Sequence, residues 1–256
     1  MTLIQSRDNA FFKLLKKLAE SGRERRKQGL TLLDGAHLVR AYEAAIGPVE
    51  RLVVAETALK SPEIAALTAG RAPTLLSDAL MRELGLVDTP SGVLALIPLS
   101  PTAPTVDLAA DAVLLDGVQD PGNVGTLLRT AAAAGVRQVW LSPGCAAAWS
   151  PKVLRAGQGA HFVLDIVEDA DLMRCVAEYR GQVAVTCLDG ATSLYEAVWQ
   201  GPLAWVFGAE GLGVSPALIA AADHRIKIPM PGAVESLNVG AAAAVCLFEA
   251  LRRRLG

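Results

Sequence analysis

The chain has 256 residues, 52% hydrophobic and 20% charged, with a formal net charge of −2 and a mean hydropathy of +0.36. This is a globular composition, long enough for one large domain or two modest ones, and no apolar run approaches the roughly 18–20 residues that a membrane span needs. Cys145, Cys175, Cys187 and Cys246 show no CxxC spacing and His37, His161 and His224 are scattered, so neither a metal site nor a disulfide framework is expected.

The opening "MTLIQSRDNAFFK" lacks a signal peptide's apolar core and cleavage site, which predicts a cytoplasmic location. Phe11, Leu14, Leu15 and Leu18 then share one helical face, with Lys13, Lys16 and Lys17 largely off it. Residues 1–40 hold nine Lys/Arg against four Asp/Glu, a balance of +5 that leaves −7 for the remainder. The stretch "KLLKKLAESGRERRKQG" concentrates the excess in Lys13, Lys16, Lys17, Arg23, Arg25, Arg26 and Lys27. It reads either as a solvated helix face or as an electrostatic footprint for nucleic-acid phosphate. Strand-like "LTLLDG", "RLVVAE", "PTLLS" and "GVLALIP" alternate with helical "AHLVRAYEAAIG", "SPEIAALTAG" and "DALMRELG". Residues 1–99 are therefore expected to form a small α/β domain. Pro98, Pro101 and Pro104 in "IPLSPTAPTVD" disfavour helix and sheet alike, so residues 100–107 are expected to be a linker.

Residues 108–256 alternate more strongly. "DAVLLDGV", "QVWLS", "FVLDIV", "QVAVTCL", "PLAWVFG" and "HRIKIPM" are near-continuously apolar, as strands buried on both faces of a parallel sheet are. Helical "NVGTLLRTAAAAG", "SPKVLRAGQG", "DADLMRCVAEYRG", "TSLYEAV", "SPALIAAA" and "SLNVGAAAAVCLFEALRRRLG" lie between and after them. The prediction is a doubly wound α/β domain, whose ligands bind beyond the carboxyl ends of strands.

Three stretches there carry unusual residues. In "LLDGVQDPGNVGTLLRTAAAAGV", Asn123 is placed to cap a helix along which Arg129 interrupts small and apolar residues. In "PLAWVFGAEGLGVSP", Gly208, Gly211 and Gly213 let backbone approach a ligand, and Glu210 favours a cationic or neutral one. In "IPMPGAVESLNVGAAAAVCLFEAL", Ser236 is placed to cap a helix from about Leu237. Asn238 remains unexplained in the first turn of a helix that packs closely against backbone, and both polar residues are expected to face a cavity.

Together these stretches resemble the SpoU, or TrmH-type, class of SPOUT RNA methyltransferases. Asn123, Gly125, Arg129 and Thr130 match its first motif, "GAEGLG" its second and "IPMPGAVESLNVGAAAA" its third, in the same order and spacing over residues 110–254. Gly240 stands where serine is expected. The N-terminal half more loosely resembles the ribosomal-protein-like substrate-binding domain often fused to these enzymes, with Asp34 where glutamate is common.

The resemblance implies a trefoil-knotted C-terminal α/β domain with a mostly parallel sheet, and S-adenosylmethionine as methyl donor. Backbone around Gly208, Ile228 and Leu237 would contact the donor, with support from Leu188, Met230 and the Gly211–Gly213 loop. The reaction would be methyl transfer to a ribose 2′-hydroxyl of RNA, ribosomal RNA before tRNA. Arg129 matches the family's catalytic arginine, and its guanidinium is suited to hold a phosphate and stabilise developing alkoxide. Asn123, Glu210, Ser236 and Asn238 would orient ribose, arginine and donor. A homodimer is implied, its small-residue helix 239–245 packing across a two-fold axis. A Rossmann enzyme is disfavoured because GxGxxG and its ribose acid are missing. A non-catalytic RNA-binding protein with a decayed methyltransferase domain is disfavoured by the intact polar set.

Overall fold

The computed structural model describes residues 3–86, 91–100, 103–234 and 236–255. Pro101 lies outside the described residues. The strands are β1 (Leu3–Ile4), β2 (Leu30–Asp34), β3 (Arg51–Ala55), β4 (Thr74–Leu76), β5 (Val93–Pro98), β6 (Ala112–Asp116), β7 (Gln138–Leu141), β8 (Asp165–Val167), β9 (Gln182–Thr186), β10 (Thr192–Ser193), β11 (Leu203–Gly208) and β12 (His224–Lys227). The helices are α1 (Ala10–Glu20), α2 (Gly22–Gln28), α3 (Ala36–Ala45), α4 (Pro62–Thr68), α5 (Asp78–Glu83), α6 (Pro121–Ala133), α7 (Pro151–Gly157), α8 (Leu172–Glu178), α9 (Pro216–Ala221) and α10 (Val239–Leu255). Among the described residues, no helix is long and apolar enough to cross a membrane.

The chain divides into two compact units, residues 1–103 with 149–162, and residues 104–148 with 163–256. The first is built on a mixed sheet of order β1-β4-β3-β5-β2, parallel except where β5 runs against both β3 and β2. Asn9 starts α1, its Oδ1 accepting from the amides of Phe11 and Phe12 at 2.9 and 3.2 Å. The buried stripe of α1 is Phe12, Leu15 and Leu18, with Phe11 and Leu14 only partly covered. It is thus centred a residue away from the predicted face, and each such side chain contributes about 1.5–3 kcal/mol of apolar burial.

Residues 149–162 follow β7 in the chain yet belong to the first unit. Thr31 donates its hydroxyl to the Trp149 carbonyl at 2.8 Å, and Arg155 of α7 pairs with Asp34. The Asp34 carboxylate, 2% exposed, also accepts from the Ser91 hydroxyl at 2.6 Å. The Tyr42 and Phe162 rings meet edge to face at 5.3 Å.

The second unit holds a seven-stranded, wholly parallel sheet of order β10-β12-β9-β11-β6-β7-β8. Its central strands β11 and β6 are buried on both faces, whereas β12 near the edge buries only Ile226 between exposed Arg225 and Lys227. Two expectations need correction. "FVLDIV" begins in a 3-10 turn over Ala160–Phe162, so its strand is only β8. "TSLYEAV" is not helical: Thr192 and Ser193 extend the sheet beside β12, and Leu194 donates its N–H to the Lys227 carbonyl at 2.8 Å. That pairing leaves a single turn after Ser193, too little for a helix.

Candidate active site

A cavity of about 410 Å³ opens at the carboxyl ends of three neighbouring strands, β9, β11 and β12. Its walls include Cys187 and Leu188 after β9, the loop from Gly208 to Val214 after β11, and Ile228 and Met230 after β12. Ser236, Leu237, Val239 and Ala242 close it from the entry to α10. All seven residues expected to hold a cofactor, namely Leu188, Gly208, Gly211, Gly213, Ile228, Met230 and Leu237, lie in this lining. Among the described residues, Glu210 and Lys227 are its charged ones.

The β11 loop doubles back on its own strand. The Gly213 N–H donates to the Ala209 carbonyl at 2.7 Å, and a Cβ at Gly208 would lie 2.1 Å from the Gly213 carbonyl carbon. Only glycine permits that approach, and Gly213 itself has φ +68°. The turn carries Glu210 to the start of α6, where Asn123 Nδ2 donates to Glu210 Oε1. Asn238 Nδ2 donates to the same oxygen at 3.0 Å and to Asn123 Oδ1 at 2.9 Å. Three residues from separate stretches therefore form one closed polar cluster, in which a carboxylate oxygen receives two amide donors.

Both capping assignments change. Asp120 caps α6, its Oδ1 accepting from Asn123 N–H at 2.8 Å, with Pro121 in the first turn. Proline in the first turn loses no helical hydrogen bond, so Asp-Pro sets the start and frees the Asn123 side chain for Glu210. Asn238, not Ser236, caps α10, which starts at Val239; its Oδ1 accepts from Gly240 and Ala241 N–H at 2.9 and 3.3 Å. Ser236 and Asn238 are both exposed, and of the two only Ser236 lines the cavity.

Arg129 is not part of the cluster. It is exposed on α6, outside the cavity lining, and makes no hydrogen bond or ion pair among the described residues. The basic residues near the N-terminus also separate. Lys13 pairs with Asp8 at 2.8 Å and Lys16 with Glu83 at 3.1 Å. Arg25 is 7% exposed and donates to the Leu18 and Ala19 carbonyls at 2.8 and 3.3 Å, which satisfies the end of α1. It is thus a buried capping residue rather than a surface cation. Lys17, Arg23, Arg26 and Lys27 remain exposed and without an ion pair among the described residues. Lys227, the last residue of β12, also lines the cavity, and no motif in the sequence marked it. Among the described residues no group of His, Cys, Asp or Glu could hold a metal ion.

The SpoU rRNA Methylase family matches residues 111–248, more than half of the chain and all of this cluster. The chain belongs to that family. An MRM3-like substrate binding domain matches residues 9–95. Among relatives of this SpoU protein, the Bacillus subtilis 23S rRNA (guanosine(2553)-2′-O)-methyltransferase RlmP is 34% identical over 97% of this chain and 98% of its own. Among solved structures, an RNA 2′-O ribose methyltransferase aligns with TM-score 0.86 and 30% identity over 100% of both chains. The SpoU methyltransferase AviRb from Streptomyces viridochromogenes, solved with AdoMet, aligns with TM-score 0.83 and 26% identity over 97% of this chain and 99% of its own.

Proposed function

We propose that this SpoU protein transfers a methyl group from S-adenosylmethionine to a ribose 2′-hydroxyl of 23S ribosomal RNA, in the cytoplasm. The observation that carries the proposal is the Asn123–Glu210–Asn238 cluster at the rim of a mainly apolar cavity. The cavity's donor set fits the cofactor. A glycine-rich wall offers backbone at close range, the surroundings are apolar, and the Glu210 carboxylate has the sign that suits a sulfonium. Leu188, Gly208, Gly211, Gly213, Ile228, Met230 and Leu237 would hold it.

When bound, S-adenosylmethionine supplies an electrophilic methyl carbon. The chain's part is to align the ribose oxygen with that carbon and to stabilise the charge that grows on it. Asn123, Glu210 and Asn238 restrain one another, so the polar rim is organised before substrate arrives. Ser236, at the cavity wall, is placed to hydrogen-bond the ribose or donor. Arg129, which makes no ion pair among the described residues, holds the neighbouring phosphate and stabilises the developing alkoxide.

Lys17, Arg23, Arg26 and Lys27 bind RNA phosphate in this reading, and the C-terminal segment passes through a loop of its own chain as a trefoil knot. Two chains pair through α10. Gly240 and Ala243 are buried within the chain, so the pairing face is the exposed line Ala241, Phe248 and Leu255, spaced by seven residues. The test of function is a map of 2′-O-methyl positions in total RNA with and without the gene, alongside transfer of labelled methyl by the purified protein. Loss of one 23S site with the gene supports the proposal; an unchanged map and no transfer refute it.

A further inference from the structure

We propose that Asp116 is a positioning residue that ties the Glu210 loop to the end of β6 and so sets the shape of the donor cavity. Asp116 is the last residue of β6 and lies in register with Gly208, the last of β11. Residues 209–215 leave Gly208 and fold back above it, the Gly213–Val214 backbone filling the space over the glycine. One end of the loop is closed by Gly213 N–H on the Ala209 carbonyl. The other end is held by the Ser215 N–H, which donates to Asp116 Oδ2 at 2.8 Å. The Ser215 side chain makes no capping bond to α9, so this tie comes from β6 and not from the short helix.

Asp116 does not line the cavity, whereas every residue from Gly208 to Val214 does. Gly211 and Gly213 give the loop many alternative conformations, and a charge-assisted bond to a rigid strand end removes them. The carboxylate therefore acts through the loop on donor affinity and leaves RNA affinity alone. This inference rests on the proposal that the cavity holds the donor.

The experiment measures S-adenosylmethionine affinity by calorimetry, RNA affinity by filter binding, and hydrogen exchange of residues 209–215. Asp116→Ala should weaken donor binding about tenfold or more, hold RNA affinity within about twofold and speed loop exchange. Asp116→Asn, whose amide oxygen accepts the same N–H, should return donor affinity to within about threefold of wild type. Ser215→Pro removes the N–H where φ −60° and ψ 143° suit proline before Pro216. It should match Asp116→Ala and add little in the double variant. Wild-type donor affinity or unchanged loop exchange in Asp116→Ala overturns the proposal, as does Asp116→Asn proving equally weak or the two losses adding. If Asp116→Ala does not fold, Ser215→Pro decides by the same measurements. A wild-type protein that binds no donor refutes the cavity's assignment, and loop exchange then decides the tether by itself.

Discussion

Asn238 and Asn123 meet across 115 positions of chain, Asn238 Nδ2 donating to Asn123 Oδ1 at 2.9 Å while Asn238 Oδ1 accepts from Gly240 N–H at 2.9 Å. One amide group thus starts α10 with its oxygen and joins the polar cluster with its nitrogen. Asn238→Ala removes both functions and should lose about 1 kcal/mol of stability with the cap. Asn238→Asp keeps a capping oxygen but sets a second carboxylate beside Glu210. Its stability should fall no further than that of Asn238→Ala, the retained cap offsetting the carboxylate repulsion, while methyl transfer falls about 100-fold or more in both variants. Thermal melts paired with single-turnover transfer separate the two roles. An active Asn238→Asp enzyme would contradict the role of the amide nitrogen.

Arg129 has no structural partner among the described residues, so its removal should not disturb the fold. Arg129→Ala is expected to melt like wild type and to bind donor normally, yet to lose about 100-fold or more in transfer. Lysine should restore only part, because it lacks the planar fork that grips phosphate. Calorimetry with donor and a labelled-methyl assay check this, and wild-type turnover in the alanine variant would exclude the role.

The exposed cations offer a salt-dependence test. Replacing Lys17, Arg23, Arg26 and Lys27 together by alanine should lower the slope of log affinity against log salt by roughly three to four, near one for each phosphate no longer neutralised. Arg25→Ala should instead destabilise the α1–α2 corner, seen as a lower melting temperature. An unchanged slope in the fourfold variant would place the RNA elsewhere.

Gly240 stands where the family resemblance leads one to expect serine, and the packing of α10 on α6 explains the glycine. A Cβ there would lie 2.8 Å from Thr126 Cγ2 and 3.1 Å from Asn238 Oδ1. Gly240→Ser should therefore cost about 1–3 kcal/mol through overpacking. Thr126→Ala removes the obstructing methyl, so the double variant should recover most of that stability. Denaturant melts of the two single variants and the double provide the check, and simple additivity would count against this steric account.

Glu249 is held down to about 2 by hydrogen bonds from Arg252 and Arg253. Its folded value lies below that of the unfolded chain, so its contribution is complete above about pH 4.5 and fades as pH falls toward 2. Glu249→Gln should be less stable than wild type at neutral pH by at most about 1 kcal/mol, since Arg252 is largely exposed. The difference should shrink between pH 4.5 and 2. Melting temperatures of both proteins across that range measure it.

Much of this molecule was legible along the chain. Near-continuous apolar runs marked the central strands of the parallel sheet, because strands covered on both faces need no alternation. Two of the three motif stretches, 202–216 and 228–251, hold most of the cavity lining, because backbone approach needs glycine, and the third meets them through Asn123. Local signals misled where two causes compete for one residue. Asn123 and Ser236 have capping chemistry, but Asp120-Pro121 and Asn238 take those positions and leave them to the cavity rim. Only the tertiary structure could decide three matters. It assigned residues 149–162 to the first unit through Asp34 and Thr31. It turned Arg25 inward onto the end of α1. It also joined Asn123, Glu210 and Asn238 through one carboxylate oxygen. The physical reason is common to all three: a side chain's partners depend on which distant segments fold beside it, and the spacing of residues along a strand or helix carries no record of that.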